Sequence, residues 1–375
     1  MTAYYEKSLQ GLSLRLMKAN TIHLSVIEVQ YPLEGVASIR LKPVGQDIMS
    51  YRAGQFITLI FDHLGTKEIR RSYSLSSTYG IDPYLEITVR QLPNGVVSGY
   101  LCQDLKPGDE LLALKPSGNF ILPEDSEKEN YLLLAAGSGI TPVFSLLKKI
   151  LTSYENSHVH LLYANSDENR IIFREEIMYW LGQYPDRFTC LHLLSNYNGE
   201  VDLTKGGELP SKVRMGRLSN LFLEDHLHAI WKYPPQQTHI YLCGPAGFML
   251  KASNTLRFME FPERRIHQEI FDIVSPFRPD TDQLIDCEIS VQSPTGRHQF
   301  LLKAGESILE AALRNSIHLP YSCNSGTCTT CSVDCLSGKV KMYTIGGPTD
   351  SDATRGTVFT CVGYPETDKL ILQLQ

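Results

Sequence analysis

The sequence predicts a multidomain β and α/β protein: an antiparallel β-barrel, then a Rossmann-like parallel α/β domain, then a small β-grasp domain. Three observations carry this reading. The chain of 375 residues is too long for one ordinary hydrophobic core. Short β-rich runs recur at regular intervals up to Phe120, whereas strands alternate with helices from Asn130 onward. Near the C-terminus, Cys323, Cys328, Cys331 and Cys335 crowd into thirteen positions within a compact unit.

Residues 1–21 form an N-terminal extension in which Leu9, Leu12 and Leu16 sit at helical spacing and are expected to dock on the protein itself. Residues 22–122 are read as the barrel, from the runs HLSVIEV, SIRLKPV, QFITLIF, YLEITVR and ELLALKP with turn residues between them. Residues 123–272 are the α/β domain: YLLLAA leads through a Gly-rich turn into a helix, and VHLLYA, REEIMYWLGQ, FTCLHLLS and THIYLCG continue the alternation. Residues 273–283, with two prolines and no periodicity, read as a linker. Residues 284–375 form the last domain, where CEISVQ and HQFLLKA flank a turn, and Ser307 and Glu310 have the spacing of a helix capping box.

Composition narrows the function classes. Hydrophobic content of 42% and charged content of 20% fit a globular protein in water. A net charge of −6 without Lys or Arg runs argues against a nucleic-acid partner or a membrane surface. Met1–Lys18 lacks the pattern of a secretory signal, and the Gly-Ser-Gly-Ile-Thr-Pro inside the charge-free stretch 131–147 interrupts what would otherwise approach a membrane span. The expectation is a cytoplasmic protein with no stable membrane insertion. In that setting nine cysteines point to reduced thiols and a metal site instead of a disulfide framework.

Cys323-x4-Cys328-x2-Cys331, followed by Cys361 after twenty-nine residues, is the ligand spacing of a plant-type [2Fe–2S] centre. Three thiolates must converge from a tight loop while a fourth arrives from a distant strand. Small residues in the loop let backbone N–H groups turn toward the sulfides. Zinc sites usually show two separated C-x2–4-C pairs, which are missing here. Through LPYSCNSGTCTTC and FTCVG the C-terminal ninety or so residues resemble the plant-type ferredoxin domain. Cys335 falls on the following strand and is expected to pack as a small hydrophobe.

Two stretches of the barrel add an electron source. RRSYSLSS contains Arg71-Ser72-Tyr73-Ser74, and NGVVSGYL places Gly95-Val96-Val97-Ser98 at a helix start, where N–H groups can cradle a pyrophosphate. In this order they resemble the flavin-binding domain of the ferredoxin–NAD(P)H reductase family. The resemblance implies FAD, with Arg71 on the diphosphate, Tyr73 against the isoalloxazine ring, Ser74 near its N5 as a catalytic group, and Gly95, Val96, Val97 and Ser98 on the pyrophosphate.

In the α/β domain, Gly137-Ser138-Gly139-Ile140-Thr141-Pro142 follows a strand, so Gly137, Gly139, Thr141 and Pro142 are candidates for the dinucleotide turn. Cys243-Gly244-Pro245 ends a later strand, with Met249 on the next helix. The resemblance places this loop against the nicotinamide, with Cys243 near the hydride-donating carbon. At the adenosine ribose, Ser166 and Arg170 suit NADPH while Asp167 and Glu168 suit NADH, so the sequence leaves the coenzyme open. Glu269, and with it Phe271, is a candidate for facing the flavin.

Barrel, wound domain and C-terminal ferredoxin, in that order, resemble the oxygenase-reductase branch of the family, and within it the phenylacetyl-CoA epoxidase reductases of phenylacetate catabolism. The resemblance implies an NAD(P)H-dependent oxidoreductase that passes electrons through FAD and a [2Fe–2S] cluster to an oxygenase or other electron-accepting protein. A di-iron epoxidase is the expected acceptor. The alternatives are a Rieske oxygenase, a desaturase or a hybrid-cluster protein, or a redox sensor without turnover.

Overall fold

The computed structural model describes residues 21–45, 49–64, 68–123, 128–196, 211–230, 234–271, 285–293, 296–317, 319–321, 326, 330–343 and 356–374. The leucine-bearing N-terminal segment, the linker 273–283, Cys323 and Cys328 lie outside the described residues.

Six antiparallel strands build the first unit: β1 (Thr21–Leu33), β2 (Val36–Pro43), β3 (Phe56–Phe61), β4 (Ile69–Ser74), β5 (Leu85–Arg90) and β6 (Glu110–Ser117), with helix α1 (Val96–Gln103) before the last. Their order is β4-β3-β6-β1-β2-β5, and a bridge from Leu75 to Ile87 joins the two outer strands into a barrel. Leu24, Ile39, Leu41, Ile57, Leu59, Phe61 and Ile87 fill it. The alternation that predicted the barrel is visible in β1, whose first half alternates between core and surface. β4 was read from sequence as a motif and is in fact a full strand, held in register along β3 from Phe56–Ser74 to Phe61–Ile69.

The second unit runs β7 (Asn130–Ala136), a 3₁₀ turn at Gly137–Gly139, α2 (Ile140–Ser153), β8 (His158–Asn165), α3 (Arg174–Gln183), β9 (Phe188–Leu194), β10 (Ser211–Met215), α4 (Asn220–Ile230), β11 (Thr238–Cys243), α5 (Ala246–Phe258) and β12 (Ile266–Glu269). All pairings are parallel, in the order β10-β9-β8-β7-β11-β12. Every residue of β7 is buried, as a central strand covered on both faces requires. The strand order reverses at β7, so a crevice opens beyond the ends of β7 and β11, where open α/β sheets bind ligands.

The third unit comprises β13 (Cys287–Ser293), β14 (Gly296–Leu302), α6 (Ile308–Arg314), β15 (Ser332–Ser337), β16 (Val340–Met342), β17 (Thr357–Phe359), β18 (Gly363–Pro365) and β19 (Lys369–Leu374). A hairpin, a helix and a parallel β13–β19 pair in the order β14-β13-β19-β15-β17 make the β-grasp layout. The expected capping box is present: Ser307 Oγ accepts from Glu310 N at 3.2 Å, and Glu310 Oε2 accepts from Ser307 N at 2.8 Å. Cys335 on β15 is half-buried against this core, and burial raises its thiol pKa.

Barrel and α/β domain meet along a polar seam. Ser145 Oγ donates to Ser77 O at 2.6 Å, Thr78 Oγ1 donates to Ser145 O at 3.0 Å, and Lys148 of α2 pairs with Asp82 of the barrel. Gly54, at φ +87°, lies so close to Phe120 that a Cβ would stand 1.9 Å from its carbonyl oxygen. No helix among the described residues is long and apolar enough to cross a membrane.

The α/β domain also buries histidines, one of which, His239, has its Nε2 2.7 Å from Glu129 Oε2. Burial lowers His192 to about 4, as it does His239 and His267, whose Nδ1 and Nε2 lie 3.2 Å apart. Their folded pKa values lie below the ordinary value near 6.5, so the unfolded chain binds more protons between about pH 6.5 and about 4. Stability is therefore present above 6.5 and lost as pH falls through that window. The Tm of the α/β domain is expected to drop on acidification, and His192→Leu should flatten the profile by on the order of 1 kcal/mol at pH 5.5. Calorimetry across that range checks it; an unchanged slope in the variant would refute the assignment.

Candidate redox site

Strand β4 delivers the first group of predicted residues. Arg71 is exposed, and its guanidinium donates to Arg70 O at 2.7 Å. Tyr73, opposite Ile57, is half-buried against the barrel core, and burial pushes its phenol up. Ser74 is only 5% exposed. Its Oγ donates to Glu269 Oε1 at 3.1 Å, a contact spanning 195 residues. Glu269 closes β12, where its Cα partner across the sheet is Cys243 at the end of β11. Ser74 and Glu269, both singled out for catalysis, thus meet by side chain at one edge of the crevice, whereas Cys243 joins them only through strand pairing. Phe271 packs on the α/β core beside them.

The start of α1 is a tight turn. Asn94 takes a left-handed φ of 58°, and Gly95 precedes the helix with no side-chain cap. A Cβ on Gly95 would meet Ser98 Oγ at 2.4 Å. Ser98 Oγ accepts from Leu92 N at 3.1 Å and donates to Gly95 O at 3.3 Å, so its hydroxyl shapes the turn. Gly95 N already donates to Leu92 O at 3.0 Å, so the helix-start N–H groups of Val96 and Val97 are the ones that point beyond the turn. A groove of about 320 Å³ borders Gly95 and Val96, walled by Gln91, Leu92, Asn94 and Tyr100. N–H groups at a helix start suit a diphosphate, but Asp104 also lines this groove and Arg71, on β4, does not.

Two glycine loops face each other across the crevice. Gly137 adopts φ +55°, and Tyr163 Oη donates to its carbonyl at 3.0 Å while accepting from Ile172 N at 3.3 Å. A Cβ on Gly139 would lie 2.2 Å from Cys243 O, and one on Gly244 2.8 Å from Ala136 Cβ. The loops can therefore touch only with glycine at both places, which leaves backbone facing the crevice. Thr141 Oγ1 donates to Ser138 O at 3.0 Å, and Pro142 occupies the first turn of α2, where no N–H partner is needed. Pro245 leads into α5 and accepts from Met249 N at 3.0 Å; Met249 is buried beneath the loop. Cys243 is wholly buried, at 0% exposure, and belongs to the core on the α2 face.

Beyond β8, Asp167 organises the predicted ribose residues. Its Oδ2 accepts from Ser166 Oγ at 2.8 Å and pairs with Arg170 Nε at 3.2 Å, while Oδ1 accepts from Asn169 N at 3.1 Å. Ser166 and Arg170 are thereby already engaged by a carboxylate. Glu168, grouped with Asp167 from sequence, is buried.

In the C-terminal domain Cys331 and Cys361 are both buried, with Sγ atoms 3.3 Å apart. That separation exceeds a disulfide near 2.05 Å, so the two are not bonded to each other. Thr360 N donates to Cys331 O at 3.1 Å, and Leu309 N of α6 donates to Thr360 O at 2.9 Å, fixing the pair to the helix. Two sulfurs converging in this way fit thiolate ligation of an iron–sulfur centre. Sequence reasoning missed Arg70, which contacts Tyr321 just ahead of the cysteine loop; its only signal was adjacency to Arg71.

Gly139→Ala is expected to force the two crevice loops apart and weaken NAD(P)H binding by at least roughly tenfold, with the barrel intact. Titration of coenzyme, with FAD content as the folding control, checks this; binding of native strength would refute the close-approach argument.

Comparison with known proteins agrees with this geometry. Residues 34–121 match the oxidoreductase FAD-binding domain, residues 133–254 the oxidoreductase NAD-binding domain, and residues 293–366 the 2Fe-2S iron-sulfur cluster binding domain. The chain is 32% identical over 337 residues to the ferredoxin reductase component of 3-ketosteroid-9-alpha-monooxygenase from Rhodococcus rhodochrous, covering 88% of this chain and 89% of that one. It is 29% identical to one of the subunits of 1,2-phenylacetyl-CoA epoxidase from Escherichia coli strain K12, covering 87% and 89%. Among solved structures, phthalate dioxygenase reductase shares the fold at a TM-score of 0.58 and 21% identity, covering 96% of this chain and 99% of that one. The chain belongs to the family of modular NAD(P)H-dependent oxidoreductases in which an FAD-binding, an NAD-binding and a 2Fe-2S domain form the ferredoxin reductase component of an oxygenase.

Proposed function

We propose that this chain draws electrons from NADH at the crevice and delivers them, through its C-terminal domain, to a separate oxygenase. The observation that carries this is the Ser74–Glu269 contact, which joins the FAD-binding barrel to the edge of the NAD-binding crevice beside Cys243. When bound, FAD accepts a hydride and the [2Fe–2S] centre passes electrons on singly, which converts a two-electron donor into a one-electron one. The chain's own residues position and protect these groups. Arg71 and the α1 start hold a diphosphate, and Tyr73 covers the ring and excludes water. Gly139 and Gly244 let a dinucleotide lie on backbone. Ser74 Oγ and Glu269 Oε1 form a short path along which a proton can be held or moved at the barrel edge. Cys331 and Cys361, with Cys323 and Cys328, are the proposed cluster ligands, and residues 22–122, 123–272 and 284–375 the proposed domains.

The engagement of Ser166 and Arg170 by Asp167 favours NADH, because a carboxylate accepts the ribose 2′-hydroxyl and repels a 2′-phosphate. Asp167→Asn is expected to raise the NADPH-to-NADH ratio of kcat/KM by about tenfold, or ~1.4 kcal/mol. An unmoved ratio would defeat the assignment. Cys361→Ser is expected to abolish the cluster's visible absorption and cytochrome c reduction while flavin bleaching by NADH persists. Surviving cytochrome c reduction without the cluster would show the electron route to be wrong.

For the partner we propose a phenylacetyl-CoA epoxidase-type di-iron oxygenase, supported by the domain order and by the relative from Escherichia coli. A second reading, a steroid monooxygenase, is favoured by the 32% identity to the Rhodococcus component. Reconstitution with each purified oxygenase, reading NADH oxidation coupled to product, separates them.

A further inference from the structure

Arg70 stands next to Arg71 on β4, and strand alternation turns the two side chains to opposite faces. Its side chain is only 5% exposed. Nε donates to Glu68 Oε1 at 2.7 Å, and Nη1 donates to Tyr321 O at 2.9 Å. The guanidinium carbon also lies 4.2 Å from the centroid of the Tyr321 ring, within cation–π range. Nη2 is buried with no hydrogen-bond partner among the described residues. Tyr321 comes two residues before Cys323, and Tyr73 three residues after Arg70, about 10 Å along an extended strand. One side chain therefore bridges the strand of Tyr73 and the entry to the cysteine loop.

Stability alone is a poor account of this arrangement. Taking a guanidinium out of water costs several kcal/mol, and one carboxylate, one carbonyl and one ring offset only part of it. An apolar side chain of similar volume would seal the same junction at lower cost. What Arg supplies instead is direction: a rigid planar fork that holds Tyr321 in one geometry.

We propose that Arg70 is a positioning residue for electron passage, docking Tyr321 on β4 and so setting the separation between the flavin strand and the cluster loop. This rests on the reading of Arg71–Ser74 as flavin residues and of the cysteine loop as cluster ligands. In each transfer one electron leaves the flavin side and one enters the cluster, and Arg70 itself is neither oxidised nor reduced.

The test uses holoprotein with full FAD and iron content, mixed rapidly with NADH, following flavin and cluster bleaching separately. Arg70→Met keeps the stem and removes the fork. It should leave flavin reduction within about twofold and slow cluster reduction by at least roughly tenfold. Arg70→Lys, retaining charge and ring contact, should recover part of the loss. Small-angle scattering of Arg70→Met should show a larger radius of gyration than the parent. Tyr321→Leu attacks the contact from its other side and carries the test if Arg70→Met does not fold; the double variant should be no slower than the worse single one. Cluster reduction at the parental rate in Arg70→Met, additive losses in the double variant, or slowed flavin reduction throughout would each overturn the proposal. A parent protein that bleaches neither chromophore with NADH would instead bring down the functional reading beneath it.

Discussion

The seam between the barrel and α2 is the constraint on which the candidate site depends. Lys148 pairs with Asp82 inside it, and Ser145 exchanges hydrogen bonds with Ser77 and Thr78. Such a buried pair adds little net stability over apolar packing, but removing either partner strands a charge, so the two surfaces tolerate only one register. That single register brings Ser74 of the barrel within hydrogen-bond reach of Glu269 in the α/β domain. A slip of a few ångströms along the seam would leave both motifs intact and separate them.

A second constraint is close backbone approach. Gly139 against Cys243, at the crevice, and Gly54 against Phe120, at the seam, leave no room for a Cβ, so both approaches are shaped by what they lack. The consequence is chemical as well as steric. Backbone N–H groups and helix starts can face a charged dinucleotide without a side chain in between. Cys243 is buried behind its loop, so the crevice wall at that point is its backbone.

Charge is handled differently at the two ends of the molecule. Beyond β8, Asp167 gathers Ser166 and Arg170 around one carboxylate. At the junction with the C-terminal domain, Arg70 is placed almost wholly out of water between Glu68 and Tyr321. The first arrangement stays local to one loop, whereas the second fixes one part of the chain against another.

Local patterns by themselves determined much of this protein. Period-two runs announced the barrel, strand–helix alternation the parallel sheet, Ser307 and Glu310 the capped helix, and cysteine spacing the iron–sulfur reading, because each is a local pattern or, for Cys361, a fixed motif spacing along the chain. The tertiary structure alone decided the rest. It turned RRSYS from a motif into strand β4, spent the Ser98 hydroxyl on its own turn, and tied Ser166 and Arg170 to Asp167. It also joined Ser74 to Glu269 and Arg70 to Tyr321, across 195 and 251 residues. No periodicity or spacing encodes such pairs, since they arise only when separately folded units are pressed together and their buried polar groups must find partners.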